Sequence, residues 1–169
     1  EVDKMTQKNK EEFNSIIKDI TKNKKFNKLN KQLHHGISRY EHSMRVARWT
    51  YKISNLLRLK SKEDTTRAAL LHDFYVDEDL TGNSVSRLGA HPNVALENSL
   101  KYFELTNVQQ DIIKSHMFPC TMVVPKYKES WLVTGVDKVV STYEMLTRKV
   151  GLYLGIYLLF IFEVIRIPR

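Results

Sequence analysis

The adjacent pair His72-Asp73 closes the apolar run Ala68-Ala69-Leu70-Leu71 and offers one imidazole nitrogen and one carboxylate from a single turn of backbone. Groups of the same kind flank it: His42 on the N-terminal side, and His91, His116 and Asp137 on the C-terminal side. Imidazole and carboxylate together ligate divalent transition metals, and such mixed sets discriminate weakly between Fe, Mn, Co, Ni and Zn. One histidine on an apolar face is ordinarily a hydrogen-bonded core residue. The two aspartates are harder to explain that way, because an ionised carboxylate beside Leu70-Leu71, or beside Val136 and Val139-Val140, is expensive unless paired or bound to a cation. The six groups account for one another if one or two metal ions sit among them.

The elements that must position these groups read as helices. Phe13, Ile16, Ile17 and Ile20 fall at helical spacing in a charged segment and predict a first amphipathic helix. Gly36 and Ser38 suit a turn and a helix cap. The next helix carries His42, Val46, Trp49, Ile53 and Leu56, whose steps of four and three predict one inward face that includes the histidine. A further helix begins at Lys62-Glu63-Asp64 and runs to His72, followed by a polar loop containing Gly82 and Gly89. His91-Pro92 reads as a helix start with proline at the first position. Val108, Ile112 and His116 share a face of the next helix, and Val133, Val136, Asp137 and Val140 form an inward stripe after the turn around Pro119 to Pro125. Strand signals are scarce, and the fold class is all-α.

At 169 residues the chain can bury a core without disulfides or a structural zinc. Cys120 is the only cysteine, which excludes an intramolecular disulfide and suits a reducing, cytoplasmic setting. The first residues are charged rather than apolar, unlike a secretory leader. The net charge of +8 owes much to Lys22, Lys24, Lys25, Lys28 and Lys31, read as a solvated helix face and linker. No basic stripe is interleaved with aromatics, so no specific nucleic-acid partner is expected. Residues 151–162 are unbroken apolar sequence, shorter than the roughly twenty residues that span a bilayer. They are expected to pack on the core, to form a homo-oligomer contact, or to touch a membrane peripherally.

His42, His72-Asp73 and Asp137 resemble the H…HD…D signature of the HD-domain metal-dependent phosphohydrolases, over roughly residues 34–146. The resemblance implies an HD-domain helical bundle with the metal site between core helices. It divides the chain into an N-terminal helical extension (1–33), the HD domain (34–146) and the apolar C-terminal helix (147–169). It also implies that these four residues ligate one metal. His91 and His116 match the two further histidines of the dinuclear branches, where the HD aspartate, here Asp73, bridges two ions and iron or manganese is favoured. Those branches act on cyclic dinucleotides or dinucleoside polyphosphates. The function implied is hydrolysis of a nucleotide phosphoester or phosphoanhydride by metal-activated water.

Two departures qualify the match. The sequence His72-Asp73-Phe74-Tyr75-Val76-Asp77-Glu78-Asp79 lacks the Gly and phosphate-holding Lys that follow HD in many dinuclear members, and the Gly-Tyr-Pro motif is missing. The acidic run instead resembles the mononuclear 5′-nucleotidase branch, which makes Asp77 or Glu78 a candidate general acid beside the plainer reading of a solvated loop. Phosphate needs cations, and Arg39, one turn before His42, is the first candidate, followed by Lys126 in the loop before the Asp137 helix. Arg45, Lys128 and Lys138 are further candidates, each with the plainer reading of a surface cation, and His35 is placed at the mouth of the pocket. The alternatives are a mononuclear phosphomonoesterase and a non-catalytic nucleotide- or metal-binding sensor.

Overall fold

A computed structural model describes residues 5–34, 37–80, 82 and 84–166, with side chains at 33, 34, 84, 85, 88 and 155–166 outside the description. Helix α1 (Gln7–Lys22) starts at Thr6, whose hydroxyl accepts from the Asn9 N–H, and buries Phe13, Ile16, Ile17 and Ile20. Asn23 ends it and caps the short α2 (Lys24–Asn27) by accepting from the N–H groups of Lys25 and Phe26. A 3-10 turn (Lys28–Lys31) and a two-residue antiparallel ladder, Leu33–His34 with Ile37–Ser38, lead into α3 (Arg39–Leu56). Ser38 and Glu41 form a reciprocal capping box at its start, so the expected cap is the observed one.

The central helix is α4 (Lys62–Leu71), which packs against α1, α3, α6 and α7. Thr65, Thr66 and Ala68 to Leu71 are all buried, so the chain leaving this helix at His72 is already inside the core. A second 3-10 turn (Asp77–Asp79) precedes α5 (Ser84–Tyr102), α6 (Asn107–Ser115) and α7 (Lys128–Arg166). The all-α class, the first amphipathic helix and the inward stripes of α6 and α7 are as the sequence predicts.

Two expectations need correction. Helix α5 begins at Ser84, so Gly89 and His91-Pro92 lie inside it rather than in a loop and at a start. Proline in a helix removes one backbone bond, yet a start at His91 would forfeit the bond between that ring and the backbone of Arg87, one turn earlier. On α3, Trp49 and Leu56 are exposed, 37% and 81%, because the stripe they belong to runs along one edge of the buried face and not along its centre. The buried face is instead His42, Ser43, Val46, Ala47, Thr50, Tyr51 and Ser54, mostly small residues that let α4 and α7 approach. Helix α7 runs unbroken past residue 147, and Val150, Leu152, Tyr153 and Leu154 are exposed. No helix among the described residues is long and apolar enough to cross a membrane.

Residues 5–33 share one core with the site-bearing helices. Phe26 is fully buried, with ring centroids 5.5 Å from both Tyr40 and Phe74, the residue that follows the HD pair. Phe26→Ala is expected to destabilise the fold by about 3–5 kcal/mol in urea unfolding. A loss below about 1 kcal/mol would mean that α1 and α2 are peripheral to this core.

Candidate metal centre

Five helices deliver the ligand candidates, and two of them do so at their C-terminal ends. His72 is the C-cap of α4 and His116 the C-cap of α6. In both, ring Nδ1 meets the carbonyl oxygen three residues back, Ala69 at 2.7 Å and Ile113 at 2.8 Å. These carbonyls are among the last of a helix and lack an intrahelical partner, so each imidazole donates to a carbonyl that needs a donor. His42 Nδ1 lies 2.9 Å from Glu144 Oε2, whose other oxygen accepts from Arg45 at 2.7 Å. His91 is bonded to the backbone of Arg87. All four rings are thus anchored by protein partners, the arrangement that fixes tautomer and orientation in metal-binding histidines.

The Nε2 atoms converge. His42 Nε2 lies 3.1 Å and His72 Nε2 3.5 Å from Asp137 Oδ1, while His72 Nε2 is 3.7 Å from Asp73 Oδ2. The other oxygen of Asp73, Oδ1, lies 3.4 Å from His91 Nε2 and 3.7 Å from His116 Nε2. Two sets of potential ligand atoms result, His42-His72-Asp73 and Asp73-His91-His116, with Asp73 common to both. All six residues are buried.

The chemistry of this set fits a cation. His72 Nε2 is buried and has no hydrogen-bond partner among the described residues; its nearest carboxylates stand at ligand-to-ligand rather than hydrogen-bond separations. His91 and His116 bring their Nε2 atoms within 3.1 Å of each other, and Nδ1–H donation to Ile113 makes the His116 Nε2 a lone pair. Burial pushes His116 down to about 3, with repulsion from His72 adding to it, so that ring is neutral and ready to ligate. Burial also lowers His91. On the other side burial is overcome: bonds to Asp137 and Glu144 raise His42 to about 10, and the charges of Asp73 and Asp137 raise His72. Burial would lift Asp137, yet the bond to His42 and the charge of the neighbouring His72 hold it well below the usual carboxylate range. The two carboxylates therefore demand positive charge, and protons supply it wherever a metal does not.

The centre opens into a cleft of about 540 Å³. Arg39 is buried in its wall, its guanidinium 4.0 Å over the Tyr75 ring and bonded to Tyr75 O and to Asp77 Oδ1. Asp77 borders the cleft, so of the two candidate acids only this one has the geometry to act there; Glu78 is exposed outside it. Lys126 is also outside, exposed, with its backbone N–H bonded to Asp111. Arg45 serves Glu144, Lys128 is exposed, and Lys138 reaches the cleft with its ammonium 2.9 Å from His116 O. His35 lies outside the described residues.

Sequence reasoning missed Glu144, Arg87 and Tyr75. Glu144 had a signal, since it follows Asp137 by two helical turns and so shares its face. Arg87 borders the cleft and donates to the carbonyls of Asp77 and Leu80, but it falls in the segment expected to be loop.

Six ligand candidates from five helices around one shared carboxylate define an all-α metal-binding domain. The HD domain family matches residues 39–142, more than half of the sequence, and the chain belongs to that family. Membership places it in the superfamily of metal-dependent phosphohydrolases. No curated protein and no solved structure matches the chain.

Two outcomes follow for metal binding. Glu144→Gln is expected to weaken metal affinity roughly 10–100-fold, the usual effect of losing a carboxylate behind a ligating imidazole, with helical content unchanged. Because His42 holds a proton at neutral pH until a metal displaces it, binding should release protons and weaken as pH falls. Titration calorimetry in buffers of different ionisation enthalpy measures that release, and buffer-independent heats would refute it.

Proposed function

We propose that the chain hydrolyses a phosphoester or phosphoanhydride of a nucleotide, using two divalent transition ions, with iron or manganese the first to test. The observation that carries this reading is the position of Asp73 between the two histidine pairs, one oxygen toward each. His42, His72, Asp73 and Asp137 would hold one ion, and Asp73, His91 and His116 the other. Ions so held act as Lewis acids toward phosphoryl oxygen and bring the pKa of coordinated water to near 7.

The protein's own groups then have to bind and orient a polyanion. Arg39, Arg87 and Lys138 stand at the cleft from three different helices, and they supply the positive charge that the segment after His72-Asp73 lacks. Arg39 and Arg87 line the cleft, and guanidinium groups there would bind phosphoryl oxygens through charge-assisted hydrogen bonds. Asp77 and the Tyr75 ring hold the Arg39 guanidinium in one orientation, which favours a positioning role for Asp77. The cleft volume lies in the range of small-molecule sites. Dinucleoside polyphosphates and cyclic dinucleotides are the substrates to try first. A one-ion nucleotidase would leave the facing His91 and His116 nitrogens without a task.

Elemental analysis of protein purified without chelators or a histidine tag should find about two metal equivalents per chain, and about one in His116→Ala. Asp73→Ala should lose most metal and activity while keeping its helical content. Arg87→Ala should raise KM roughly tenfold or more, as expected for a lost charge-assisted bond to phosphate, with metal content unchanged. Full turnover by Asp73→Ala would refute the assignment.

A further inference from the structure

The surface formed by α3 and α7 away from the metal centre is apolar in a way that the site does not explain. Trp49 and Ile53 of α3 face Trp131 and Val139 of α7 across an open groove, which Tyr143 extends. Along α7 the positions Val139, Tyr143, Leu146, Val150 and Tyr153 recur at steps of four and three, and all five are exposed. Val139 and Tyr153 each have 71% of their surface in solvent. The apolar sequence 151–162 continues the same helix.

The charges on this surface have one sign. Arg45, Arg48 and Lys52 edge the groove, with the Lys52 ammonium 5.3 Å over the Trp49 ring, and Arg148 and Lys149 are exposed farther along α7. The acidic residues of α7 before position 163 are Glu129, Asp137 and Glu144, and all three are buried. The one acid of α3, Glu41, is bound into the capping box at Ser38.

We propose that this α3–α7 face docks on an anionic lipid surface, with α7 lying along the interface and Val150 to Leu154 extending the contact. Exposed Trp and Tyr beside Arg and Lys are what an interface-lying helix presents, the rings at the headgroup boundary and the cations on anionic headgroups. Charge complementarity selects this occupant over a second copy, since two identical basic rims would confront each other whereas anionic headgroups oppose them with the needed sign. Length selects lying over crossing: twelve helical residues extend roughly 18 Å, against a hydrocarbon core of about 30 Å.

The test is co-sedimentation of the full, metal-loaded chain with phosphatidylcholine vesicles, with and without phosphatidylglycerol, at low and high salt. The protein should bind the anionic vesicles, release with salt, and bind them roughly tenfold or more weakly as the triple variant Arg48→Glu/Arg148→Glu/Lys149→Glu. A second variant, Trp49→Ser/Tyr143→Ser, should lose binding at unchanged net charge, with circular dichroism confirming the fold of both. Binding of the variants equal to that of the unaltered chain would overturn the proposal. So would absence of binding to anionic vesicles, including the case of a stable dimer in solution, which would assign the face to a second copy.

Discussion

Burying an ionised carboxylate among hydrophobic side chains is unfavourable by several kcal/mol, and two of the buried acids, Asp73 and Asp137, stand on either side of the His72 ring. Asp73 is 3% exposed and Asp137 7%, too little for water to compensate them. Four imidazoles at 3.1 to 3.7 Å are the compensation that the protein provides. The division of proton affinity among them follows from where the negative charge lies. His42 and His72, nearest Asp137, are raised against burial, while His91 and His116 yield to burial and stay neutral. Neutral rings facing each other at 3.1 Å and carboxylates drawing protons onto their neighbours are two aspects of one centre whose charge balance is completed by cations.

Helix ends carry much of that arrangement. A C-terminal carbonyl without an intrahelical partner is a small liability in a buried location. Placing His72 and His116 at C-caps removes it twice and aims two Nε2 atoms inward by the same act. Ligands in helix interiors need other holds. His42 relies on Glu144 and through it on Arg45, which links α3 to α7 across the site. Losing a methylene of reach anywhere in this chain of contacts would move a nitrogen by more than metal coordination tolerates, so packing of α3, α4 and α7 is part of the site.

The sequence exposed the six ligand candidates because each stands out against its surroundings: a polar group at an apolar-face position is the clearest anomaly that a pattern can show. The same logic explains what stayed hidden. Glu144 follows Thr142-Tyr143, where charge is unremarkable, and only its partner, brought from α3, gives it meaning. Arg87 and the first turns of α5 were masked by Pro92, since local rules place a helix boundary at His91-Pro92 and tertiary contacts overrode them. Trp49 and Leu56 fit an inward stripe by spacing, yet the interior side of α3 is the small-residue side, because close approach to α4 matters there more than apolar area. Glu78 and Asp77 are neighbours in a 3-10 turn, and a turn sends successive side chains in different directions. Only Asp77 meets Arg39.

Helix α7 shows how one element can serve two opposite demands. Its acids must face inward: Asp137 approaches the histidines, Glu144 braces His42, and Glu129 is buried near the helix start. Lys138, at the cleft, turns toward His116 O. What remains for the outer side, as far as residue 154, is a helix face stripped of negative charge, with Arg148 and Lys149 among exposed apolar side chains. Soluble helices ordinarily intersperse both signs on the solvent side. Here the inward acids leave that side with cations alone, so the ligand geometry and the basic apolar surface are coupled through the pitch of a single helix. Rotating α7 to expose Asp137 or Glu144 would withdraw a carboxylate from the metal centre, and so neither acid can neutralise the surface without dismantling the site.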